Sequence, residues 1–215
     1  MKVRLMLAVC VIALAACAGG PVSPDWQIDA YSALGRYTSA YLNGNRRLAE
    51  GDFARARSEL ARTGRFDQVA RAELVRCGVQ AASLEYDGCP GFVALTKDAD
   101  GIGAAELAYA AFLNGQPYDF ALLPQHYQAV FGGGKAALVS IEAPLPRLIA
   151  AGVLLRSGHL APSDIELAID TASAQGWRRP LLAWLGVLAL DADKRGDLEA
   201  AARARHRSEL VAGRR

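Results

Sequence analysis

The chain has 215 residues, 24 lysines and arginines against 22 acidic residues, and a formal net charge of +2. Lys2 and Arg4 are the only charges before residue 17, so residues 17–215 carry 22 basic and 22 acidic side chains and are electrically neutral. A neutral body excludes the basic footprint that nucleic-acid binding requires, and this length fits one domain or a compact repeat array.

The chain starts with a basic Met1-Lys2-Val3-Arg4, continues as an almost unbroken apolar run from Leu5 to Leu14, and reaches Ala15-Ala16-Cys17. A basic start, an apolar stretch and small residues at the cut describe a secretory signal peptide. The run is about half the roughly 20 apolar residues that a membrane-spanning helix needs. A Cys directly after Leu14-Ala15-Ala16 resembles the signal of bacterial lipoproteins. That resemblance implies cleavage after Ala16, acylation of Cys17, and anchoring in a lipid bilayer through the acyl chains. Ala18 stands where retained inner-membrane lipoproteins often carry Asp, so it implies the outer membrane, with the protein on the periplasmic face. Residues 1–16 are then the signal, 17–23 a tether, and 24–215 the folded domain.

Ser23-Pro24-Asp25 opens a helix well, with Ser as N-cap, Pro at the first position and an acid near the positive end. Trp26, Ala30, Ala33, Leu34, Tyr37, Ala40, Tyr41 and Leu48 form its apolar stripe. Gly44 lies within that stripe, and Glu50-Gly51-Asp52-Phe53 breaks it. Phe53, Ala56 and Leu60 resume the pattern, Gly64 ends it, and Asp67 caps the next helix. Asp87 to Gly91 is a loop, and Phe92–Leu95 reads equally as a short helix or an extended piece. Ala104–Leu113 is helical and stops at Asn114-Gly115-Gln116-Pro117. Leu122–Phe131 is a further helix, and Gly132-Gly133-Gly134 a flexible joint. After Pro144 and Pro146 helices are expected over about 146–157, 163–175, 180–194 and 197–211, with turns at Gly158, Gly176 and Gly196. No alternation of strand type occurs, so the predicted fold is all-α.

Cys77 and Cys89 remain after Cys10 leaves with the signal and Cys17 is acylated. In a compartment that permits disulfides, they are expected to pair; two unpaired thiols are the alternative. A helix rises 1.5 Å per residue, and bridged Cα atoms sit about 5.5 Å apart. The bridge therefore predicts that the helix carrying Cys77 ends near Ser83 and that Leu84–Gly88 turns back. A metal pair is disfavoured because no His lies near either Cys.

Tyr41-Leu42-Asn43-Gly44 recurs as Phe112-Leu113-Asn114-Gly115. Gly51-Asp52-Phe53, Gly158-His159-Leu160 and Gly196-Asp197-Leu198 are each expected between two helices, with Ala56 and Ala201 three residues after Phe53 and Leu198. Here the chain resembles tetratricopeptide (TPR) repeats through Gly44, Gly51, Asp52, Phe53, Ala56 and Leu60, and through Leu188, Ala189, Gly196, Asp197 and Ala201. The resemblance implies a TPR-like solenoid of stacked antiparallel helical hairpins. It departs from the family at Arg47, where an aromatic is expected, in the 38-residue spacing of Gly158 and Gly196 against the family's 34, and across 87–143.

No catalytic constellation stands out. His126, His159 and His206 are scattered, and the nucleophile-elbow and zinc-protease motifs are absent. Asp98-Ala99-Asp100-Gly101 fails as a calcium loop, because Gly101 comes too early and Tyr109 stands where the closing Glu is needed; capping of the next helix suits it better. Arg55, Arg62, Arg65, Arg71 and Arg76 interleave with acids and read as a solvated helix face. Arg203, Arg205, Arg207, Arg214 and Arg215 either meet anionic lipid or favour the negative end of the last helix. Trp26, Tyr37, Tyr41, Trp177 and Trp184 are the candidate partner-binding aromatics, to be weighed against roles in the core.

These readings predict an outer-membrane lipoprotein whose helical domain holds or assembles another envelope protein, without cofactor, metal or nucleic acid. The competing readings are a cell-wall-acting enzyme with a pocket in 87–143, using residues such as Glu106, Asp119 or Glu142, and a purely structural lipoprotein.

Overall fold

The computed structural model describes residues 24–97, 101–131 and 138–213. The signal segment, Cys17, the tether, the Asp98–Asp100 acids, the triple glycine and Arg214 and Arg215 lie outside the described residues. Ten α-helices occur among the described residues, with no strand. They are α1 Asp25–Leu42, α2 Arg46–Ala61, α3 Phe66–Ala82, α4 Pro90–Thr96, α5 Ala104–Leu113, α6 Gln125–Phe131, α7 Pro144–Arg156, α8 Pro162–Ala174, α9 Arg178–Lys194 and α10 Leu198–Ala212. Short 3₁₀ turns cover Phe120–Leu122 and Leu138–Ser140. None of the described helices is long and apolar enough to cross a membrane.

Successive helices pack as hairpins, most extensively α1 on α2 and α9 on α10, with α8 on both α7 and α9. Side chains fix several starts. Asn45 accepts from the Leu48 amide at 3.2 Å ahead of α2, and Asp197 from the Ala200 amide at 2.9 Å ahead of α10. Each bond satisfies an amide that the first turn leaves without a partner.

Three local expectations are corrected. The first hairpin turns at Asn43-Gly44-Asn45, where Gly44 has φ +83° and takes the left-handed conformation open to glycine. Gly51-Asp52-Phe53 is therefore not a turn but lies inside α2. A helix-interior glycine costs about 1 kcal/mol relative to alanine. Burial of Ala49, Phe53, Ala56 and Leu60 on one face of α2 outweighs it, while Asp52 pairs with Arg36 of α1 at 2.8 Å. Asp67 lies one residue inside α3, whose N-cap is Arg65, and pairs with it at 3.0 Å. The helix expected from Leu122 starts only at Gln125, because Pro124 drives Leu123 to an extended ψ of 157°. Phe92–Leu95 is helical, with Pro90 at the first position of α4.

Helix α3 is the centre of the molecule. It touches α1, α2, α4, α5 and α7. Val69, Ala72 and Val79 join the core formed by α1 and α2, while Ala70, Leu74, Cys77, Ala81 and Ala82 join the larger core that runs through α9. Helices α3 and α7 approach most closely at Gly152. A Cβ there would stand 2.4 Å from the Ala81 carbonyl oxygen, and the Gly152 carbonyl accepts a 2.8 Å bond from the Tyr86 hydroxyl. Gly152→Ala is thus expected to push the two helices apart and destabilise the fold by about 1–3 kcal/mol. Chemical denaturation of the variant checks this; an unchanged midpoint would refute the close approach.

Cys77 and Cys89 form a disulfide with Cα atoms 5.6 Å apart. As its geometry requires, α3 ends at Ala82 with Ser83 as cap, and residues 84–88 turn back.

Candidate functional site

An apolar groove of about 530 Å³ runs along α3 between α5, the Phe120–Leu122 turn and α7. Its walls include Leu74, Val75 and Val79 from α3, Tyr109 from α5, Leu122 and Leu123, and Leu145 and Ile149 from α7. The helical period of α3 places Val75 and Val79 one turn apart on the same face, and Val75 remains 39% exposed. Leu107 of α5 and Phe120 of the 3₁₀ turn add further exposed apolar surface on two of the groove's elements. At the rim Arg71 Nε donates to Glu106 Oε1 at 2.8 Å. Tyr109 forms part of the wall, and burial pushes its hydroxyl up to about 12, so it stays neutral across the physiological range. An apolar floor with a charged rim suits capture of an apolar surface.

No family model, curated protein or solved structure matches this chain. The site must therefore be read from its own residues.

The candidate aromatics fall into three environments. Trp184 is 0% exposed, and its Nε1 donates to the Ala82 carbonyl at 3.2 Å, so it holds α9 to α3 and offers no surface to a partner. Trp26 and Trp177 are half-buried against the α1–α2 core. Tyr37 and Tyr41 are 3% and 7% exposed, with ring centroids 5.8 Å apart. These two are brought together at a second pocket, lined also by Phe53, Arg76, Gln80, Glu85 and Arg179. Burial raises both hydroxyls well above the ordinary tyrosine range, and the bond from Tyr41 to Glu85 raises that residue further.

The acids of the enzyme reading do not converge. Glu106 is held by Arg71 at the groove, Asp119 accepts from the Ala121 amide at 3.0 Å as a cap, and neither Asp119 nor Glu142 lines the groove. His126 packs on Tyr127 with centroids 4.1 Å apart, and burial lowers its pKa. His159 and His206 lie on the surface. Among the tail arginines, Arg203 pairs with Glu199 and Arg205 with Asp193. The terminal carbonyls of α10 are met instead by Arg178, which donates to Val211 O at 3.1 Å and Ala212 O at 2.9 Å.

Apart from Glu106, named for a pocket of another kind, sequence reasoning missed the groove residues because they come from four separate elements. One signal was available. Val69, Leu74, Val75, Cys77, Val79 and Ala81 place apolar side chains around all of α3, and a helix apolar on every side has neighbours on every side.

Proposed function

We propose that this protein is a lipid-anchored cell-envelope adaptor that holds the apolar face of an amphipathic helix from a partner protein. The observation that carries the reading is the groove between α3, α5 and α7, whose walls are mainly aliphatic with Tyr109 among them and whose rim holds the Arg71–Glu106 pair. Helix-in-groove recognition uses such a trough, with apolar anchors at i, i+3 and i+4 entering it. The amino-terminal segment supports anchoring: acyl chains on Cys17 would hold the groove beside the membrane and raise its effective concentration toward partners there.

In-cell crosslinking of the full-length tagged protein tests the reading. The unmodified protein is expected to capture one reproducible envelope protein. Val75→Asp places a charge on an exposed groove wall and is expected to lower that capture about tenfold or more, with the helical circular dichroism unchanged. Cys17→Ser is expected to move the protein from the membrane pellet to the soluble fraction. Capture unaffected by Val75→Asp would overturn the groove, and retention of Cys17→Ser in the pellet would overturn the anchor.

A further inference from the structure

The groove between α3, α5 and α7 has a direction. It follows α3 from Arg71 to Val79, about 12 Å at 1.5 Å per residue. The other two helices run the same way. Glu106, in the first turn of α5, meets Arg71, while Tyr109, one turn later, places its hydroxyl 3.2 Å from where a Gly78 Cβ would stand. Along α7, the Ile149 Cδ1 is 3.1 Å from that same position, and Gly152 lies against the Ala81 carbonyl. Three parallel helices therefore wall the groove. The first turns of α5 and α7 border it near Arg71, through Glu106 and Leu145.

Charge is confined to that end. Among the described residues, Arg71 and Glu106 are the only charged groups on the walls. The Arg71 side chain is 59% exposed and that of Glu106 only 14%, so solvent meets the cation and the carboxylate is largely covered. The bond between them engages Nε of Arg71, and the two terminal nitrogens of the guanidinium can donate to a further acceptor. Helices α5 and α7 add the partial positive charge of their N-termini. The first turn of α7 contains no acid to offset it. Toward Val79, Pro124 and Ile149 the walls carry no charge.

Given the helix-in-groove reading above, on which this inference rests, we propose that the groove fixes the polarity of its partner. The bound helix lies antiparallel to α3, with its C-terminal end and an acidic residue of its last turn at Arg71. The last carbonyls of a helix are unpaired and carry partial negative charge. A carboxylate beside them makes a charge-assisted bond to the outer edge of the guanidinium. Apolar anchors at i, i+3, i+4 and i+7 fill the uncharged stretch toward Val79. The reverse orientation sets the positive end of the partner helix against Arg71 and the positive ends of α5 and α7.

Two peptides of identical composition, titrated against the full-length protein and followed by fluorescence anisotropy, test the polarity. Both have blocked ends and leucines at helical spacing. One carries two lysines in its first turn and two glutamates in its last; the other has the two pairs exchanged. The exchanged peptide is the better helix in solution, because its charges complement its own dipole, so tighter binding of the first cannot come from helix content. The first is expected to bind about five- to tenfold tighter, with the difference shrinking in about 1 M salt. Arg71→Gln should remove most of the preference while both peptides still bind, and Val75→Asp should weaken both. Equal affinities, or tighter binding of the exchanged peptide, would overturn the polarity and leave the groove reading standing. Binding of neither peptide would overturn both. Palmitate bound in their place would then assign the groove to an acyl chain, and self-association blocked by Val75→Asp would assign it to a second copy of this chain. The peptide comparison uses the unmodified protein and so stands even where a variant fails to fold.

Discussion

Replacing Trp184 with alanine is expected to lower the unfolding free energy by about 3–5 kcal/mol, the largest loss foreseen for any single side chain here. Trp184 is fully buried in the larger core. The substitution leaves a cavity that two packed helices cannot close. It also removes the 3.2 Å bond from Nε1 to the Ala82 carbonyl, so that a buried acceptor loses its partner, which adds to the packing loss. Denaturant unfolding followed by circular dichroism gives the number. A loss under 1 kcal/mol would mean that Trp184 has mobile or solvated surroundings, contrary to its burial.

Opening the Cys77–Cys89 bridge is expected to cost about 3 kcal/mol in the chain-entropy model, given a sequence separation of 12. The effect should reach beyond the loop. Residues 84–88 carry Glu85, which holds Arg179 and the Tyr41 hydroxyl, and Tyr86, which bonds to Gly152 and lies under Arg156, whose guanidinium is 4.9 Å from its ring centroid. With the bridge gone, these contacts rest on a free segment. Amide exchange is expected to quicken first at the start of α9 and around Gly152. Cys77→Ser with Cys89→Ser, compared with the oxidised protein in denaturant, gives the stability term. Equal midpoints would show that packing alone sets the loop.

Much of the helix pattern was legible because its causes are local. Caps, prolines and the turn glycines at 158, 176 and 196 divide the last four helices within a few residues of the observed bounds. The loop joining Cys77 to Cys89 was legible from helix rise once the two cysteines were expected to pair. Gly51-Asp52-Phe53 misled because a glycine's weak helix propensity counts for less than the burial of Phe53 and Ala56. The tertiary arrangement had no local signature. Gly152 sits in the middle of a helix with nothing nearby to say that the Ala81 carbonyl comes to meet it. Arg76 read as part of a solvated stripe, and so it would be but for Phe53, which reaches it from α2. Trp184 and Tyr41 look alike as large aromatics at helical spacing. One fills the interior and the other edges a pocket, a difference set by which helix packs opposite.

Helix α3 serves two cores with two of its faces. In an array whose units touch only their neighbours, end units can melt while the rest persists, and stability grows roughly as a sum over units. Here the same seventeen residues complete the interior on both sides, so unravelling either side strips the other of a wall. The molecule is therefore expected to melt as one body on either side of α3 rather than to fray unit by unit.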